Sequence, residues 1–138
     1  MDEARRIAIR TRLDADQARR EARQLAASLG FDRADAESVA LAVSELAMNL
    51  HRHAVAGEIT FRTVADEVRR GMEIESQDNG PGIADPDRAL QDGFTTSGGL
   101  GSGLPAARRL MDDFELTSAP SGTRIVVRKW LTTRSSSA

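Results

Sequence analysis

The chain has 138 residues, the size of one ordinary domain, and 40% of them are hydrophobic, enough for one real core. A formal net charge of −2 gives no electrostatic footprint for nucleic acid, and the lack of cysteine excludes disulfides and thiolate metal sites. The only histidines are His51 and His53, so zinc is not expected. The opening Met1-Asp2-Glu3-Ala4-Arg5-Arg6 is not followed by the long apolar run of a signal peptide. No stretch approaches the ~20 apolar residues of a membrane helix, so no membrane is expected and the cytoplasm is the expected compartment.

Arg5 to Leu13 reads as a half-buried strand, with Ile7, Ile9 and Leu13 alternating with polar residues. Asp14 or Asp16 can cap the next element, where Ala18, Ala22, Leu25, Ala26 and Leu29 fall at helical spacing before Gly30. Asp35 opens a second helix running to about Ala54, with Val39, Val43, Leu46 and Leu50 on one stripe. Glu58–Val64 and Arg70–Ser76 read as strands, joined by a loop at Asp66-Glu67 without a sharp Asn-Gly signal.

From Asp78 to Gly103 the chain changes character: seven of its eleven glycines lie there. Helical pattern resumes over Leu104–Met111, and two strands follow, Phe114–Ser118 and Thr123–Trp130, turning at Pro120-Ser121-Gly122. The order β-α-α-β-β-loop-α-β-β implies an α+β sandwich with helices on one face of a mixed sheet. Residues 1–132 read as one domain and 133–138 as a disordered tail.

Three segments can carry chemistry. On the second helix Glu45 and Asn49 are four apart and share a face, beside Ala42, whose small size leaves room for a ligand. A carboxylate and a carboxamide there could orient a hydroxyl and hold Mg²⁺ through oxygen. Alone, the pair reads equally as a solvated polar face. Asp78-Asn79-Gly80-Pro81-Gly82 follows a strand, so an acceptor-only carboxylate at its end could take a hydrogen bond from an exocyclic amino group. The same residues also make a plain turn. Gly98-Gly99-Leu100-Gly101-Ser102-Gly103-Leu104 precedes a helix, where main-chain N–H groups and the dipole can cradle phosphate. It lacks the Gly-Lys-Ser/Thr ending of a Walker A loop, and alone it reads as a flexible linker.

Taken together the three match a family. The sequence resembles the GHKL superfamily of ATP-binding domains, which includes gyrase, histidine kinases and the mismatch-repair protein MutL. Glu45-x-x-x-Asn49 is similar to its N box, Asp78-x-Gly80-x-Gly82 to its first glycine box, Gly99–Leu104 to its second and Gly122-Thr123 to its final short box. Asp92-Gly93-Phe94-Thr95-Thr96-Ser97-Gly98-Gly99-Leu100-Gly101, Ala107–Glu115 and the closing Arg128-Lys129-Trp130 resemble the RsbT-type serine/threonine switch kinases.

The resemblance implies a Bergerat fold, ATP with Mg²⁺, and phosphorylation of a Ser or Thr on a STAS-domain protein. It also implies a partner-switching module whose released kinase activates a PP2C-type phosphatase. By position, Glu45 would be the catalytic base, Asn49 the Mg²⁺ ligand and Asp78 the adenine acceptor. Gly80, Gly82, Ile83 and Thr123 would line the adenine end. Thr95, Gly98, Gly99, Leu100, Gly101, Ser102, Gly103 and Leu104 would surround the phosphates, and Ala84–Ser97 would form a short lid.

Ser102 and Pro105 depart from the family pattern, and no Lys or Arg lies between Thr95 and Gly103. A basic γ-phosphate contact must then come from Arg52, Arg88 or a partner. Two other readings stand beside the kinase. One is an RsbW-like anti-sigma factor kinase. The other is a binding module in which nucleotide gates docking without phosphotransfer.

Overall fold

Local capping decides where the first strand stops. In the structure, a computed structural model that describes residues 4–52, 57–80 and 103–131, β1 spans Arg5–Ile9 and α1 spans Arg12–Leu29. Thr11 caps α1: its hydroxyl accepts from the Asp14 N–H at 3.2 Å, and Asp14 Oδ2 accepts from the N–H of Thr11 at 3.0 Å and of Arg10 at 2.8 Å. This reciprocal box satisfies donors that a continued strand would leave unpaired. Leu13, read above as part of the strand, therefore sits on the solvent face of α1, 76% exposed. Ala15, Ala18, Ala22 and Ala26 form the buried stripe of α1, and Gly30 ends it in the left-handed region.

Helix α2 spans Arg33–Arg52, and Asp32 Oδ1 accepts from the Asp35 N–H at 2.8 Å at its start. Val39, Val43, Leu46 and Leu50 enter the core on the expected stripe. Glu37 pairs with Arg23 at 3.0 Å and Arg19 at 3.7 Å, so the side of α2 carrying Glu37 faces α1. Arg19 and Arg23 of α1 thus serve interhelical pairs.

The remaining elements are β2 (Gly57–Ala65), β3 (Arg70–Asp78), α3 (Gly103–Leu110), β4 (Asp113–Ala119) and β5 (Gly122–Trp130). The sheet order is β1-β2-β3-β5-β4. The α+β two-layer architecture is as expected, but every strand pairing among the described residues is antiparallel, which corrects the mixed sheet. Two hairpins supply antiparallel neighbours locally, and the β4–β5 hairpin that follows α3 lays β5 alongside β3 in the opposite sense. Asp66 Oδ1 closes the β2–β3 loop by accepting from Val68 N–H at 2.8 Å and Arg69 N–H at 2.6 Å.

Phe61, Met72, Ile74, Ile125 and Val127 point from the sheet into the core beneath the helices. Trp130 packs at the edge: its ring N–H donates to Asp113 at 2.9 Å and Arg69 lies 3.8 Å over its ring. Among the described residues no helix is long and apolar enough to cross a membrane.

Candidate functional site

One end of the sheet gathers the polar residues singled out by sequence. Gly57 of β2 pairs with both Ile9 of β1 and Asp78 of β3, which aligns three strand ends. Leu50 packs on that end: a methyl group added to Gly57 would lie 2.7 Å from its Cδ2. Asn49, the residue before Leu50, is therefore carried to the same end of the sheet as Asp78.

Helical geometry then fixes which way Asn49 and Glu45 face. At 100° per residue, Ala42, Glu45 and Asn49 share a stripe; Ala42 and Asn49 lie about 140° and about 120° round the helix from Glu37, away from α1, and Glu45 about 80° from it, at the border of that side. Helix α2 also packs against α3, which makes it the middle one of the three described helices. Glu45 and Asn49 are half-buried on this stripe. Ala42 is fully buried, so its small side chain allows tight packing and does not line an open space as expected above. Among the described residues no three His, Asp or Glu cluster as metal ligands. The Asn49 amide oxygen is a hard oxygen donor of the kind that Mg²⁺ accepts.

Asp78 is held by main chain. Its Oδ1 accepts from the Gly80 N–H at 2.9 Å and from the Thr123 N–H at 3.1 Å. Both bonds fall on one oxygen, which orients the carboxylate and leaves Oδ2 for another donor. Around it the inner sheet face turns from apolar to polar. Ser76 and Thr123 are buried there, and the hydroxyls of Ser118 and Thr123 are 3.5 Å apart. Ser76 and Ser118 were not singled out by sequence, because an isolated serine in a strand carries no signal until register places it.

Gly80 is buried beside Asp78, and Gly103 opens α3 with φ of 34°. Leu104 and Pro105 are buried, so Pro105 sits in the first turn without cost, and Leu104 belongs to the core. The helix is anchored at its other end, where Lys129 Nζ donates to the Leu110 carbonyl at 3.0 Å. Gly82, Ile83, Thr95, Gly98, Gly99, Leu100, Gly101 and Ser102 lie outside the described residues, as do Ala84–Ser97, Arg88, His53 and the tail 133–138. The structure thus brings Asn49, Asp78, Gly80 and Thr123 to one end, with Glu45 one turn back along α2.

Comparison with known proteins agrees with this fold. Residues 9–129 match the family model of the histidine kinase-like ATPase domain. The chain is 45% identical over 126 residues to the serine/threonine-protein kinase RsbT of Bacillus subtilis (strain 168), covering 91% of this chain and 95% of that one. Its fold is similar to a Mycobacterium tuberculosis structure of RsbU and RsbW domains, with TM-score 0.64 and 17% identity, over 99% of this chain and 35% of that chain. It is also similar to the histidine kinase domain of a blue-light activated histidine kinase from Erythrobacter litoralis, with TM-score 0.55 and 17% identity, over 86% of this chain and 63% of that chain. An α+β sandwich, a one-ended polar site and these two levels of likeness lead to one assignment. The chain belongs to the histidine kinase-like ATPase (GHKL) family, and within it to the RsbT-type serine/threonine-protein kinases.

Proposed function

We propose that this kinase uses ATP with Mg²⁺ to phosphorylate a Ser or Thr of a STAS-domain antagonist, in the cytoplasm, and that once released it activates a PP2C-type phosphatase. The observation that carries the reading is the 45% identity to RsbT across nearly the full length of both chains. Asn49, turned away from α1 at the Asp78 end of the sheet, with Glu45 one turn back on the same stripe, supports it. In this reading residues 1–132 form the kinase domain.

Each residue then has one task. Asp78 accepts the adenine amino group through Oδ2, with Gly80, Gly82, Ile83 and Thr123 around the ring. Asn49 would hold Mg²⁺, whose charge offsets that of the phosphates when bound. Thr95 and the segment 98–104 surround the phosphate tail with main-chain donors. Glu45 accepts the proton of the incoming hydroxyl as its oxygen bonds to the γ-phosphorus. The bond from the γ-phosphorus to the bridging oxygen breaks, and ADP leaves with that electron pair.

The test is incubation of the purified chain with γ-labelled ATP, Mg²⁺ and the STAS-domain proteins encoded beside it. Label on a STAS Ser or Thr is expected, and Glu45→Ala should bind ATP yet transfer no label. Unchanged transfer by Glu45→Ala rejects Glu45 as base. Label on no protein favours the nucleotide-gated binding module, and capture of a sigma factor favours the anti-sigma reading.

A further inference from the structure

The β3–β5 ladder stops at Gln77–Arg124. One residue further on, the next main-chain donor of β5 changes partner. The Thr123 N–H goes to the Asp78 side chain at 3.1 Å. This is possible only because the chain before it lies against Asp78. A Cβ placed on Gly122 would be 2.1 Å from the Asp78 carbonyl oxygen and 3.3 Å from the Asn79 Cα. Both are backbone atoms, so no side chain can swing aside. Gly122 also has φ of 152°, which L side chains rarely adopt. Glycine here is therefore required by the approach of β5 to Asp78.

We infer that Gly122 is a positioning residue for purine recognition: by letting β5 touch Asp78, it aims the Thr123 amide at Oδ1 and reserves Oδ2 for the exocyclic amino group. The inference rests on the reading of Asp78 proposed above. It adds a residue that never meets the nucleotide but sets which purine is preferred.

The experiment compares ATP with purine riboside triphosphate, which lacks the exocyclic amino group, by equilibrium binding to the full chain. The unmodified protein is expected to prefer ATP by roughly tenfold or more, the worth of a hydrogen bond to a charged group. Equal binding of the two overturns the reading of Asp78 and the inference with it. Gly122→Ala is expected to reduce that preference to within about twofold while purine riboside triphosphate binds as before. Loss of both nucleotides in equal measure shows a merely structural glycine and overturns the inference alone.

Should Gly122→Ala fail to fold, hydrogen exchange still decides. Asp78→Ala is expected to speed exchange of the Thr123 amide by roughly tenfold. Unchanged exchange there overturns the inference.

Discussion

Arg124 donates to Glu75 at 2.6 Å on the face of the sheet that none of the described helices covers. Glu75 also accepts from Arg62 at 2.8 Å, while Arg128 joins Glu73 at 2.9 Å to Glu115 at 3.1 Å. The arginine stems lie along the sheet, and Thr60 and Val126 stay buried on an otherwise open face. The Glu75 side chain is only 11% exposed, so its pairs are less screened than ordinary surface pairs. This lattice stands in for a third layer.

Burial pushes the Glu75 carboxyl up, but hydrogen bonds from Arg62 and Arg124 outweigh it and hold the group below its ordinary value. A carboxyl whose folded value is depressed stabilises the fold above its unfolded value. That contribution is lost as pH falls through the unfolded and then the folded value. Urea unfolding should therefore be nearly flat from neutral pH down to about 5 and weaken below it. Glu75→Gln is expected to cost about 1–3 kcal/mol at neutral pH and to flatten the acid limb. An acid limb of the same slope in the variant would exclude Glu75 as its source.

At the other side of the molecule, Thr11 and Asp14 set the start of α1 by exchanging hydrogen bonds. Thr11→Ala removes the acceptor for the Asp14 N–H and should cost about 1 kcal/mol of stability. Thr11→Ser keeps the hydroxyl and should recover most of that. A thermal melt of the two variants checks it; equal melting points would mean that the cap contributes nothing.

The sequence showed the alternating strands and the helical stripes because each has a buried face with a fixed period. Val39, Val43, Leu46 and Leu50 are an example: spacing alone identified the core side of α2. The start of α1 was misplaced because Leu13 fits both the strand alternation and the helix, and only the Thr11–Asp14 exchange decides between them. The mixed sheet was misjudged because strand direction depends on how the crossover through α3 returns, which no local pattern encodes. Asp78 and Thr123 were legible as motif residues. The resemblance also implied that they lie near one another, but the bond from the Thr123 N–H to the Asp78 carboxylate was not legible, since it depends on Gly122 and on register across 45 residues.

Asn49 offers a test of the cation. If its amide oxygen is the protein's one ligand, Asn49→Ala should raise the Mg²⁺ concentration needed for half-maximal phosphotransfer while the fold is kept. Asn49→Asp keeps an oxygen at the same place and should restore part of the function. A Mg²⁺ dependence that does not move in Asn49→Ala would remove Asn49 from the metal site.

The packing of α3 on α2 links the core to the same site. Ala107 of α3 is fully buried, and α3 carries Gly103 and Leu104 at its start. The helix is pinned at its far end by Lys129, and seven steps of 1.5 Å put Gly103 about 10 Å from that anchor. Extra bulk at Ala107 strains the packing of α3 in the core, and the end of α3 away from Lys129 is expected to move most. Ala107→Leu is expected to cost about 1–3 kcal/mol through overpacking, and to weaken ATP binding beyond what this loss of stability explains. Arg108→Leu, on the exposed face of the same helix, is the control and should leave both nearly unchanged. Calorimetric titration with ATP at a temperature where both variants are folded separates the two effects. If Ala107→Leu binds ATP as tightly as the unmodified chain, the spacing between α2 and α3 does not govern the phosphate end of the site.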